Sequence, residues 1–408
     1  MARKPVPTLR EQEVQGLKYL DRVLPLLRRL HEVGCARDKA GNRTLHMDEY
    51  CALILLFLFS PAVYSLRTIQ RASELRKVQR LLGCGRASLG SLSEAVQVFE
   101  PQRLEEIIAE LGAELMPHAR DERLAQVGHT ITLVDGTLLP ALSRIAEAMW
   151  LSTRTGTRHH AWRLHAHFSL DLHVPVRMDL TNGKNSGSTN EKNVLRQQLA
   201  PDHLYVMDRG YAQFSLFDDI VAAGSSYVCR VRDNSRYQVR EERPLSESAR
   251  SAGVVFDAVV ALGDPDDANR RPSHPVRLVM VRVQPHEKRS NRKGNTGAGP
   301  SDGLLRITTN LLDVPAEIIG LLYQYRFTIE LFFRFFKHLL GCRHLLSDKP
   351  DGIRIQVYCA VIACLLLSLW TGRKSTKATL EMFYWYFIGL AEEDELEAYL
   401  AKLKFQSA

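Results

Sequence analysis

The feature that most constrains the fold is a change of hydrophobic period near residue 128. Before it, LREQEVQGLKYLDRVLPLLRRLHEV and the segments up to residue 125 space their apolar residues three and four apart, the pattern of amphipathic helices. After it, HTITLVDGTLLPAL reads as a strand, and WRLHAHFSLDL (162–172) alternates apolar residues with Arg, His, Ser and Asp. VPVRMDLT (174–181) follows a tight turn, so the three segments form a meander. Ser188-Thr-Asn-Glu191 has the spacing of a capping box that opens the helix NEKNVLRQQLA. HLYVMDRGY is then a strand, FSLFDDIVAAG a helix and SSYVCRVRDN another strand.

The order β-β-β-α-β-α-β describes an RNase H-like core, a mixed α/β sheet. Residues 235–303 interrupt it with the strands VVFDAVVAL and VRLVMVRVQ and a basic loop, EKRSNRKGNTGAGPSDG. The expected organisation is an all-helical N-terminal domain (1–125), an RNase H-like α/β domain (126–345) with a β-strand insertion (about 235–303), and a helical tail (346–408).

Composition narrows the setting. The 408 residues are 45% hydrophobic and 25% charged, enough for a sizeable core and too apolar for a disordered chain. Lys and Arg exceed Asp and Glu by 54 to 46, and the resulting basic balance suits a phosphate backbone without establishing one as partner. The seven cysteines are scattered and never form a C-x-x-C pair, which favours reduced thiols over a disulfide framework. The longest apolar runs, from Ala52 and from Cys359, stop short of the roughly 18 residues a bilayer-crossing helix needs. With no leader read at the start, the expectation is a cytoplasmic protein with no membrane partner.

Two aspartates stand at the ends of apolar runs. Asp135 follows Ile-Thr-Leu-Val and precedes Gly136-Thr137, where alone it would serve a D-G turn. Asp208 follows Leu-Tyr-Val-Met and precedes Arg-Gly-Tyr, where alone it would cap a helix. In the meander topology the first and fourth strands are adjacent and parallel, so the two carboxylates can face each other. A third comes from LYQYRFTIELFFRFFKHLLGCRHLL. At about 100° per residue, Tyr323, Arg326, Glu330 and Lys337 share a stripe roughly 60° wide beside the apolar face of that helix. A surface ladder of i,i+3 and i,i+4 pairs would give the same stripe. Clustered carboxylates repel one another unless cations bind between them, and hard oxygen donors select Mg²⁺ or Mn²⁺. Two such ions about 4 Å apart can activate a water or 3′-hydroxyl at a phosphodiester.

Taken together these motifs resemble the bacterial DDE transposases of the insertion-sequence-four type. That family's Y-x2-R-x3-E-x6-K signature is complete as Tyr323, Arg326, Glu330 and Lys337, and the contexts LVDGT and MDRGY are similar to those of its two aspartates. The likeness covers residues 45–375. It implies that Asp135, Asp208 and Glu330 are catalytic and bind two Mg²⁺ or Mn²⁺ ions, and that Tyr323, Arg326 and Lys337 hold the DNA backbone. The implied partners are double-stranded DNA, as transposon ends and target, and a second copy of the chain in a synaptic homodimer. The implied activity is cut-and-paste transposition by hydrolysis and strand transfer at terminal inverted repeats. Rival readings are a catalytically decayed DNA-binding regulator and a host nuclease of the same fold.

Phe327 stands where the family commonly has Trp, and residues 227–310 lack the Trp that stacks on a flipped base in relatives. Tyr227, Tyr237 and Phe256 are the candidates to replace it. Six basic residues between Arg67 and Arg86 suit either a helix-turn-helix or a solvated helix face. His165, His167, Asp171 and His173 allow a zinc site, or simply the open face of a strand.

Overall fold

Apolar runs too short for helices build the centre of the sheet. Ile131 to Val134 in β1 (Thr130–Pro140) and Leu204 to Met207 in β5 (His203–Met207) are buried on both faces, as expected of strands covered by helices on either side. The computed structural model describes residues 20–33, 37–38, 41–117, 120–140, 149–152, 158–183, 186–264, 271–283, 302–339, 345–372 and 376–405. The other strands are β2 (Met149–Ser152), β3 (Arg158–Ser169), β4 (Val174–Asn182), β6 (Ser226–Arg230), β7 (Tyr237–Glu242), β8 (Val254–Leu262), β9 (Val276–Arg282) and β10 (Leu304–Thr309). They form one ten-stranded sheet in the order β2-β3-β1-β5-β6-β10-β9-β8-β7, with β4 paired to β3. β1 is antiparallel to β3 and parallel to β5, and β5 is parallel to β6. The expected pairing of first meander strand with first post-helix strand is therefore present.

The N-terminal helices are α1 (Leu24–Arg28), α2 (Leu30–Val33), α3 (Met47–Phe59), α4 (Leu66–Ser73), α5 (Arg76–Leu82), α6 (Leu89–Val98) and α7 (Leu104–Ala113). Within the sheet region come α8 (Glu191–Arg196), α9 (Phe214–Ala222) and α10 (Glu247–Ser251), followed by α11 (Ala316–Tyr325) and α12 (Phe327–Leu339). The tail holds α13 (Pro350–Thr371), α14 (Lys377–Phe387) and α15 (Glu393–Phe405). α13 packs against α3, α6, α7 and β4, so the tail and the N-terminal helices share one core with the sheet. Its 22 residues are apolar enough to cross a bilayer, yet 89% of its most apolar stretch is buried inside the protein.

Four local differences from the sequence reading have physical causes. Residues Gly187–Thr189 form a 3₁₀ turn, and Asn190 rather than Ser188 caps α8, accepting from Lys192 N at 3.0 Å. β2 is a further short strand beside β3. The insertion strands do not form a separate layer: β10 pairs with β6 and carries β9, β8 and β7 onward in the same sheet. The helix over the signature is two helices, because at Arg326 the chain closes i→i−3 bonds, from Arg326 N to Tyr323 O and from Ile329 N to Arg326 O. The basic loop 287–301 and the end of the signature run, 340–344, lie outside the described residues.

Candidate active site

Strand register brings the two aspartates together. The last matched pair between the parallel strands is Val134 with Met207, so Asp135 and Asp208 are the next residues on each side. Neither serves the local role its sequence context also allowed. β1 continues to Pro140, so Asp135 is not in a turn; its Oδ1 accepts from Gly136 N at 2.8 Å. Asp208 precedes the 3₁₀ turn Arg209–Tyr211 with extended backbone and makes no side-chain cap bond. Its carboxylate instead accepts from the Tyr323 hydroxyl at 3.1 Å.

The signature residues close over the strand ends. Arg326 Nη2 donates to Glu330 Oε1 at 2.6 Å, and Arg326 Nη1 lies 3.5 Å from Asp135 Oδ2. Lys337 Nζ donates to Thr137 Oγ1 at 2.5 Å, tying α12 to β1 two residues beyond Asp135. The guanidinium also lies over the Phe327 ring, 5.1 Å from its centroid. Tyr323 is only 3% exposed and Arg326 6%. Tyr323 and Arg326 are thus turned inward onto the carboxylates, while Glu330 stays partly exposed and Lys337 reaches the Thr137 hydroxyl. Thr137, inside the LVDGT context, is a site residue the sequence reading passed over.

Burial dominates the electrostatics. It pushes the Asp135 carboxyl up to about 6, with Asp208 and Glu330 adding to the rise and Arg326 and the Gly136 N–H opposing it. Burial also pushes the Tyr323 hydroxyl up, with the Asp208 charge adding to it. Burial works against the charge of Arg326, but Tyr323, Asp208 and Glu330 outweigh it and raise the guanidinium above its ordinary range. One guanidinium cannot neutralise three carboxylates, so Asp208 and Glu330 add to a rise in Asp135 that burial mainly sets.

The donor set, carboxylate oxygens from Asp135, Asp208 and Glu330, is chemically suited to a hard divalent cation. Among the described residues, no three His, Cys, Asp or Glu side chains are gathered closely enough to hold an ion as placed. Arg326 stands between Asp135 and Glu330, while Tyr323 occupies Asp208. Of the four His/Asp positions considered for zinc, His165 and Asp171 are engaged elsewhere. His165 Nε2 bonds Thr181 Oγ1 at 2.8 Å, Asp171 pairs with Arg120 at 2.7 Å, and burial pushes both His165 and His167 down to about 4.

The insertion aromatics separate by burial. Tyr227 is fully buried, stacked 4.2 Å from the Phe217 ring, with its hydroxyl 3.1 Å from His274 Nε2. Tyr237 on the outermost strand is exposed and rests against Phe256 at 6.1 Å. Of the candidates, Tyr237 is the most exposed, and Phe256 is half-buried.

A mixed sheet with a carboxylate cluster where two parallel strands end, covered by a helix pair, defines a class of α/β proteins with acid-centred sites. Within that class the chain belongs to the family described as Transposase DDE domain, whose profile matches residues 126–366. It is similar to the putative transposase y4zB of Sinorhizobium fredii, 26% identical over 241 residues, 59% of this chain and 60% of that protein. It is also similar to the probable transposase for insertion sequence element IS5377 of Geobacillus stearothermophilus, 26% identical over 252 residues, 61% of this chain and 58% of that protein. The chain thus matches about three-fifths of the length of these relatives. Among solved structures, the piggyBac transposase synaptic complex with hairpin DNA aligns with a TM-score of 0.43 and 10% identity, over 97% of this chain and 83% of that one.

Proposed function

We propose that the chain is a cut-and-paste DNA transposase of the insertion-sequence-four type, with an RNase H-like core acting at terminal inverted repeats. The observation that carries this is the parallel register that sets Asp135 beside Asp208, with Glu330 tied to Asp135 through Arg326. In this reading Asp135, Asp208 and Glu330 hold two divalent ions, Mg²⁺ or Mn²⁺. When bound, the metal supplies Lewis-acid activation of a water or 3′-hydroxyl and stabilisation of the leaving oxygen. The protein's own share is positioning. Arg326, Tyr323 and Lys337 exchange their present partners for DNA phosphates, and the guanidinium's fixed fork suits that exchange.

The remaining parts follow from the same reading. α4 and α5 carry Arg67, Arg71, Arg76, Lys77 and Arg80, and Arg86 follows in the loop after α5; Arg67, Arg76, Arg80 and Arg86 are exposed, and they supply the face that meets transposon-end DNA. Two copies of the chain join two ends in the bacterial cytosol. The test is a supercoiled plasmid carrying the DNA that flanks the gene, incubated with protein and Mg²⁺. Double-strand breaks at the flanks are expected from the unaltered chain and none from Asp135→Asn, Asp208→Asn or Glu330→Gln, with DNA binding kept within a few-fold. Binding without any cutting by the unaltered chain would favour a decayed regulator. Cutting that ignores the flanking repeats would favour a host nuclease.

A further inference from the structure

A fourth carboxylate lies behind the cluster. Glu191, the first residue of α8, puts its Oε1 2.7 Å from where a Cβ on Gly136 would stand, and its Oε2 3.8 Å from the corresponding point on Gly210. Gly136 directly follows Asp135, and Gly210 lies two residues beyond Asp208. One side chain therefore rests against both backbone segments that carry the aspartates. A side chain at position 136 would force the Glu191 carboxylate to move.

Glu191 is itself held. Arg163 of β3, which lies opposite Leu138 of β1, donates from Nη1 to Glu191 Oε1, and both side chains are largely buried. Tyr211, at the end of the turn after Asp208, is 2% exposed and its hydroxyl has no hydrogen-bond partner among the described residues. Burial first, then the charges of Glu191, Asp135 and Asp208, push that hydroxyl up, which places it within the field of all three.

Alternation along β1 decides what Glu191 can do. Asp135 and Thr137 point to the face of α12, where Arg326 and Lys337 meet them. Gly136 presents the opposite face, where Val134 packs with Leu195, Met207 and Tyr211. Glu191 thus acts through the backbone from behind the strand.

We infer that Glu191, fixed by Arg163, is a positioning residue that sets the separation of the Asp135 and Asp208 segments and so their capacity to bind divalent metal. The inference rests on the carboxylates being the metal site proposed above. It predicts coupling between residue 191 and residue 136, because the two compete for one space.

The test is titration of the full chain with Mn²⁺, following the free ion by electron paramagnetic resonance, alongside thermal melting without metal. Glu191→Ala and Gly136→Ala should each weaken Mn²⁺ binding about 10–100-fold, the range seen for groups that support metal ligands. Gly136→Ala should melt within about 3 °C of the unaltered chain, while Glu191→Ala, which leaves the largely buried Arg163 unpaired, should melt lower yet remain folded at the titration temperature. The double variant should bind no more weakly than the worse single one, since without the Glu191 carboxylate the added methyl meets nothing. Glu191→Gln keeps the volume and an acceptor for Arg163, and should hold Mn²⁺ affinity within about threefold. Unchanged affinity in Glu191→Ala, additive losses in the double variant, or a Glu191→Gln loss as large as that of Glu191→Ala would each overturn the inference. If Glu191→Ala does not fold, Gly136→Ala and Glu191→Gln decide it. Asp135→Asn separates the two levels: Mn²⁺ binding unaffected by that change would bring down the metal-site reading itself, whereas loss there with unaltered affinity in Glu191→Ala would bring down only the role of Glu191.

Discussion

Asp135 concentrates the conflict between stability and chemistry in one side chain. Its carboxyl is pushed from an ordinary 3.8 to about 6 in the folded, metal-free protein. Between those values the folded state holds a proton that the unfolded chain releases, so stability falls as pH rises from about 4 to about 6 and stays reduced above. At 1.36 kcal/mol per unit, the cost at neutral pH is on the order of 3 kcal/mol. Asp135→Asn should therefore melt higher than the unaltered chain at pH 7.5 in chelator, with the difference vanishing at pH 4. Equal melting temperatures at both pH values would contradict the burial argument. Arg326→Ala should move the other way. Removing the cation leaves Asp135 and Glu330 uncompensated, a change of about 3–5 kcal/mol for buried pairs and less here because Glu330 is partly exposed. The loss should be larger at pH 7.5 than at pH 4, where Asp135 is protonated.

At the scale of elements, the break between α11 and α12 is what allows one signature to reach two strands. Tyr323, from the last turn of α11, meets the end of β5, while Arg326, Glu330 and Lys337 address β1. If Lys337 exchanges Thr137 for a phosphate when DNA binds, Lys337→Ala should lower the slope of log affinity against log salt by about one unit. An unchanged slope would leave Lys337 as a tie between α12 and β1. β7, at the sheet edge, is exposed throughout and carries Arg240, Glu241 and Glu242, charges that discourage pairing with another chain. Its Tyr237 is the more exposed of the insertion aromatics. Base stacking contributes about 1–3 kcal/mol, so Tyr237→Ala should spare first-strand nicking and reduce hairpin products on a denaturing gel. Normal hairpin yield would remove Tyr237 from that role.

For the whole molecule, α13 joins the N-terminal helices to the sheet through β4. Leu366 lies in it fully buried, and Leu366→Ala should cost about 2–5 kcal/mol. Because α13 touches α3, α6, α7 and β4 alike, the loss should appear in one transition, by circular dichroism and by a fluorescence probe on the sheet together. Two separated transitions would show that the helical layer unfolds independently. The burial of α13 also explains how a helix apolar enough for a bilayer sits in this fold: its hydrophobic surface is satisfied by the protein itself.

Most elements of the sheet were legible in the sequence because they rest on local rules. Period-two alternation marks β1, β3 and β4, and short apolar runs ending in Asp mark the strand ends that matter. The spacing of Tyr323, Arg326, Glu330 and Lys337 needs only helix geometry. β2 and β7 escaped because short or edge strands carry weak patterns, and β10 escaped because its LLRITT shows no clear alternation. The partners of the site residues escaped for a different reason. Whether Arg326 faces solvent or Asp135 depends on a helix break and on the placement of a strand 191 positions away in sequence, and neither has a local signature. Glu191 shows the limit most clearly. Its sequence neighbourhood reads as a helix start, and its place behind Gly136 and Gly210 exists only once β1, β3 and β5 lie side by side and α8 packs over them. Local periodicity is written in neighbouring residues; the distance between two carboxylates is decided by the chain's long-range packing.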